Sequence, residues 1–138
     1  MNRAFWDGKT VLITGNTGFK GSWLSLWLQS LHAKVYGFAL KPPNEEGLFY
    51  LCGLNDTIST VFGDVADSNL LSQTIFKVQP EIVIHMAAQP LVRKSYQQPV
   101  LTYQTNVLGT VHLLEAIRHC FSVKAVINVT TDKCYDNK

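Results

Sequence analysis

Short β-branched runs alternate along this chain with longer stretches whose apolar residues recur at helical spacing. The first run, 11–14, reads as a buried parallel strand, and Phe19, Trp23, Leu24, Trp27, Leu28 and Leu31 mark the helix behind it. A second strand covers 34–40; Pro42-Pro43-Asn44 breaks it, and the segment through Asn55 reads as a loop with one helical turn around 48–52. A third strand at 57–62 is followed by a helix over 68–78 with Leu70, Leu71, Ile75 and Val78 on one face. Pro80 punctuates, a fourth strand runs through 81–88 with a small-residue exit, and 89–95 reads as a loop at the ligand edge. The pattern predicts a long helix over 100–120, with Tyr103, Val107, Leu108, Val111, Leu114 and Ile117 at helical spacing, and a fifth strand at 123–130. Strand and helix in strict alternation specify an α/β fold: a doubly wound, mostly parallel sheet in the order 3-2-1-4-5, one domain over 1–138, truncated after the fifth strand.

Composition agrees with a sheet covered on both faces, since 46% of the 138 residues are hydrophobic and 16% charged. The net charge of +2 comes from scattered basic residues, so there is no Lys/Arg patch for nucleic acid. Cys52, Cys120 and Cys134 lack Cys-x-x-Cys spacing and His32, His85, His112 and His119 lack metal-ligand spacing, which points to reduced thiols and no metal. No apolar run is long enough for a leader or a membrane span, and a cytoplasmic protein is expected.

The chemistry begins between the first strand and helix, at Gly15-Asn-Thr17-Gly18-Phe19-Lys20-Gly21. Strand, glycine turn and helix form a dinucleotide-binding opening: the first glycine makes the tight turn, the next admits a pyrophosphate to the backbone, and the third lets helix pack on strand. The helix N-terminus adds unpaired N–H groups and a positive dipole end. An acid commonly binds the adenosine ribose about 20 residues further on; here Phe38 to Lys41 occupy the place, and Lys41 either meets the extra phosphate of NADP or is a solvated loop charge. Ala87 and Ala88 let a ligand lie against the backbone beyond the fourth strand, next to Gln89. His85 reads as a core histidine, and Asn106 is a mid-helix polar residue that is unfavourable without a partner.

The Gly-x-x-Gly-x-x-Gly spacing resembles that of the extended short-chain dehydrogenase/reductase family. With Thr-Gly-Asn-Thr-Gly-Phe-Lys-Gly-Ser-Trp, the Lys-Pro-Pro loop, His-Met-Ala-Ala-Gln-Pro-Leu-Val-Arg and Thr-Asp-Lys-Cys-Tyr-Asp-Asn, the chain resembles that family's nucleotide-sugar 4,6-dehydratases, over essentially all of its length. The resemblance implies a lyase acting on CDP-glucose: hydride leaves sugar C4 for NAD, water is lost across C5 and C6, and hydride returns to C6. It implies that Asp64, followed by Val65, accepts the adenine amino group, against the alternative of a helix cap; that Asn106 buttresses the nicotinamide side, against simple surface exposure; and that Thr130 adjoins the cofactor. Thr131 would bond the C4 oxygen and Asp132 would protonate the departing hydroxyl. Lys133, where relatives have Glu, would remove the C5 proton, which requires a neutral amine; its alternative is pairing with a phosphate or carboxylate. It also implies a homo-oligomer through the outer face of the 100–120 helix. The family's Tyr-x-x-x-Lys pair is missing, since Tyr135 and Lys138 are spaced Tyr-x-x-Lys. The 138 residues are therefore expected to bind cofactor without turnover, the substrate-binding region being absent. The rival readings are an epimerase or reductase of the same family, or a non-catalytic NAD(P)-binding module.

Overall fold

Each of the first four strands is followed by a helical crossover, which returns the backbone to the same end of the sheet, so the strands run parallel. The structure, a computed structural model, describes residues 2–131. Its strands are β1 (Thr10–Thr14), β2 (Lys34–Ala39), β3 (Ser59–Phe62), β4 (Ile82–His85) and β5 (Ala125–Asn128). All neighbours pair in parallel, in the order β3-β2-β1-β4-β5. The chain starts at the centre, winds out to β3, then crosses to β4 and β5, so the topological switch point lies between β1 and β4. This is the expected doubly wound α/β sheet, and its order is that of a Rossmann-type fold.

The helices are α1 (Arg3–Trp6), α2 (Phe19–Ser30), α3 (Leu48–Leu51), α4 (Leu54–Thr57), α5 (Ser68–Val78), α6 (Val92–Gln97), α7 (Pro99–Tyr103) and α8 (Gly109–Arg118), with a π-helical turn at Gln104–Leu108 between the last two. Side chains alternate across the strands. Val11, Ile13, Val35, Ile82 and Ile84 pack on one side against Leu28, Phe49 and Leu54. Leu12, Phe38 and Val83 pack on the other against Leu71, Ile75, Leu113 and Ala116. At the amino ends of the strands, Glu81 receives Lys9 at 2.8 Å and Lys124 at 3.2 Å. These hydrogen bonds hold its carboxyl at about 2, well below the ordinary 4.5.

Several elements differ from their sequence pattern. In α2 the residues turned inward are Gly21, Ser22, Ser25 and Leu28, whereas Phe19, Trp23 and Trp27 are 72%, 56% and 50% exposed. The reason is the close approach of the helix to the turn before it: a methyl group on Gly21 would overlap the Gly15 carbonyl oxygen, so only small side chains fit there. The 100–120 segment is three pieces, and its apolar stripe is turned away from the core: Tyr103, Val107, Leu108, Val111 and Leu114 are exposed while Gly109, Leu113 and Ala116 are buried. The 89–95 segment, expected as a loop, becomes helical from Val92, and Pro99 at the first helical position starts the next helix after Gln98. β4 ends at His85, and β5 is short and exposed along its length.

Candidate functional site

At the carboxyl edge of β1 the backbone makes a tight turn. Gly15 takes a left-handed φ of +75°, and a Cβ there would stand 2.9 Å from the Ala87 nitrogen. Its N–H donates to Phe38 O at 2.9 Å, which holds the turn to β2. The three glycines divide their tasks. Gly15 and Gly21 are required by the protein's own packing, whereas a Cβ on Gly18 meets nothing nearer than 3.4 Å and would project into space. Gly18 is also the N-cap of α2 and supplies no side chain to it. The first-turn N–H groups, with no capping side chain, therefore lie at a groove lined by Gly18, Phe19, Lys20 and Gly21.

That groove, of about 530 Å³, continues past Gly15 and Thr17 to Ala39, Leu40, Gly63, Asp64 and Val65 on one side. On the other it reaches Met86, Ala87, Ala88, Pro90, Thr105, Val129 and Thr130. Thr17 Oγ1 donates to Leu40 O at 2.9 Å, joining the glycine turn to the end of β2. Asp64 accepts Ala66 N–H through Oδ1 at 2.9 Å, and the cap of α5 is Asp67, which accepts Leu70 N–H at 3.0 Å. Asp64 thus stands at the groove without being the helix cap. Lys41 is exposed and is not among the residues lining the groove.

A second groove of about 520 Å³ shares Ala87, Ala88, Pro90, Val129 and Thr130 with the first and adds Gln89, Asn106 and Thr131. Asn106 is exposed, yet it has a partner: its Oδ1 accepts Gln89 N–H at 2.8 Å and its Nδ2 donates to Gln89 O at 3.1 Å. The Gln89 side chain donates to Thr102 Oγ1 at 3.1 Å and accepts Leu91 N–H at 2.8 Å. His85 forms the inner wall; burial pushes its pKa down from the ordinary 6.5 and favours the neutral ring.

The fold therefore gathers Gly15, Thr17, Gly18, Phe19, Lys20, Gly21, Asp64, Val65, Ala87, Ala88 and Thr130 at one groove, and Gln89, Asn106 and Thr131 at its continuation. Asp132 and Lys133 lie outside the described residues, as do Cys134, Tyr135 and Lys138. Sequence reasoning missed Leu40, Met86, Thr105, Thr110 and Asn128 as lining residues, and only their position at strand ends or beside Asn106 signals them. Among the described residues Cys52 and Cys120 are unpaired, no group of three or more His, Cys, Asp or Glu is placed to hold a metal, and no helix is long and apolar enough to cross a membrane.

The family model described as GDP-mannose 4,6 dehydratase matches residues 12–137. The chain is 54% identical over its whole length to the CDP-glucose 4,6-dehydratase of Salmonella typhimurium, and it spans 38% of that relative's length. A solved UDP-glucose-4-epimerase from Stenotrophomonas maltophila, with bound NAD and formylated UDP-arabinopyranose, superposes with a TM-score of 0.81 at 22% identity, covering 94% of this chain and 39% of its own. A UDP-glucose 4-epimerase from Brucella ovis in complex with NAD has a TM-score of 0.73 at 29% identity, covering 88% of this chain and 35% of its own.

Proposed function

The chain belongs to the GDP-mannose 4,6-dehydratase family, and from that premise we propose that these 138 residues are the cofactor-holding part of a CDP-glucose 4,6-dehydratase. The observation that carries the reading is the pair of joined grooves along the carboxyl edge of the sheet, running from Asp64 past the glycine turn to Thr131. Its support in sequence is the 54% identity to a CDP-glucose 4,6-dehydratase.

The residues present fit a nicotinamide dinucleotide. The space beside Gly18 and the first-turn N–H groups of α2 suit a pyrophosphate, which is anionic and needs donors at short range. Asp64 and Val65 stand on the adenine side, and Ala87, Ala88 and Thr130 leave room for a flat ring toward Gln89 and Asn106. A bound NAD supplies a hydride acceptor that can give the hydride back. The chain's own residues would hold the substrate and move protons: Thr131 would hydrogen-bond the sugar C4 oxygen, Asp132 would give its proton to the departing C6 hydroxyl, and Lys133, as the neutral amine, would take the proton from C5. The region that grips CDP lies outside these residues in this reading, and the protein is cytoplasmic.

Calorimetric titration with NAD+ and NADP+ is the test, with saturable binding expected for the 138-residue chain and Lys41→Glu reading any preference for the extra phosphate. Absence of binding by either dinucleotide overturns the reading. Mass spectrometry of CDP-glucose incubated with the chain and NAD+ is expected to show no loss of water, because no Tyr-x-x-x-Lys pair is present. A dehydrated product would overturn the expectation that these 138 residues bind cofactor without turnover.

A further inference from the structure

Thr14, at the end of β1, and His85, at the end of β4, are adjacent on neighbouring strands and both buried. Thr14 Oγ1 lies 2.6 Å from His85 Nδ1 and also accepts the N–H groups of Met86 and Ala87, each at 3.1 Å. The Met86 N–H is shared with the Thr14 carbonyl oxygen at 3.1 Å. On the far side of the ring, His85 Nε2 lies 3.2 Å from Thr110 Oγ1, and the Thr110 hydroxyl donates to Asn106 O at 2.8 Å.

Counting hydrogens settles the direction of this row. A hydroxyl has one hydrogen and two acceptor positions. Both acceptor positions of Thr14 face backbone N–H groups, so its hydrogen goes to His85 Nδ1. The neutral ring then carries its proton on Nε2 and donates to Thr110, whose own hydrogen is already placed on Asn106 O. The opposite tautomer would leave the Thr14 hydroxyl hydrogen without an acceptor at a fully buried position, which is costly. Beyond Thr110 the row ends in the π-helical turn, where the Asn106 side chain holds both backbone groups of Gln89. Such turns insert a residue into the helix and are frequent at functional sites.

We infer that His85, as its Nε2–H tautomer, is a positioning residue: it ties the end of β1 through Thr110 to the Asn106 turn, and so sets the Gln89 backbone on the second, inner groove. The inference rests on the cofactor reading above for the ligand and on the hydrogen-bond row for the tautomer. His85 acts here by holding, without a proton transfer.

Two measurements test it. Long-range proton–nitrogen NMR on the 138-residue chain is expected to show His85 protonated on Nε2 alone; a proton on Nδ1 overturns the proposal whether or not a dinucleotide binds. The second compares Thr14→Val with Thr14→Ser, since Thr14 stands behind His85 and does not line either groove. Loss of one hydrogen bond of this kind gives roughly tenfold weaker binding. Thr14→Val is expected to weaken NAD+ by about that factor while ADP, which reaches only the adenine side, changes little, and Thr14→Ser is expected to restore NAD+. Equal loss for NAD+ and ADP, or no loss for either, overturns positioning of the inner groove. Should the valine variant fail to fold, the tautomer still decides. A wild-type chain that binds neither ligand but shows the Nε2–H tautomer would sink the cofactor reading and, with it, the role assigned to Gln89, leaving the row as internal bracing.

Discussion

At Gly21 an added methyl group would meet backbone on two sides, the Gly15 carbonyl and Asn16 Cα, and backbone in a tight turn has little room to give. Gly21→Ala is therefore expected to destabilise the fold by about 1–3 kcal/mol and to abolish dinucleotide binding, read by denaturant melts and by titration with NAD+. Gly37 differs in kind. A methyl group there would overlap the Asn16 side chain, which is fully buried, donates to Thr60 Oγ1 at 2.8 Å and has no partner for Oδ1 among the described residues. Gly37→Ala alone is expected to cost about 1–3 kcal/mol, and at least ~1 kcal/mol less in the Asn16→Ala background, because the two positions compete for one volume. Equal costs in the two backgrounds would refute that competition. The glycine turn was legible in the sequence because its demands are local. Asn16, Gly37 and Thr60 were not, because the contact joins residues 44 apart and no spacing rule connects them.

Among the elements, the sheet's amino edge is joined by one carboxylate. Glu81 is held at about 2 against an ordinary 4.5 by hydrogen bonds from Lys9 and Lys124, so it binds a proton more readily unfolded than folded. The stability it adds is fully present above 4.5 and is lost as pH falls from there through about 2. Melting temperatures of wild type and Glu81→Gln are expected to differ at neutral pH and low salt, to converge over that window, and to differ less at high salt. A gap independent of pH would mean that the ion pairs add nothing. The positions of most strands and helices followed from periodicity, but their orientation did not. The aromatic members of the stripe that marks α2 as a helix, Phe19, Trp23 and Trp27, lie outward while Leu28 is buried, because Gly21 against Gly15 reserves the inner face of the first turns for small side chains. The turn between α7 and α8 likewise had no signature in the sequence, since the apolar residues Tyr103, Val107, Val111 and Leu114 keep ordinary helical spacing through it.

For the whole molecule, the apolar face formed by Tyr103, Val107, Val111 and Leu114 and the open strand β5 are exposed together in the described residues. Exposed apolar side chains recurring along one helical segment mark association when they form a patch. The chain is expected to sediment as a concentration-dependent oligomer, and Val111→Glu with Leu114→Lys to shift it toward monomer with unchanged circular dichroism; identical sedimentation of the two would remove the helix face as the contact. By itself the sequence determined the parallel α/β order, the glycine turn and the family resemblance, because strand and helix periods, glycine's conformational range and motif spacing are properties of neighbouring residues. Tertiary structure alone decided that Asp64 borders the groove while Asp67 caps the helix, that Asn106 holds Gln89, and that Thr14, His85 and Thr110 form one row. Those outcomes depend on which groups the sheet brings within hydrogen-bond reach, and Thr14 and His85 meet only because β1 and β4, 71 residues apart at this point, pair in register.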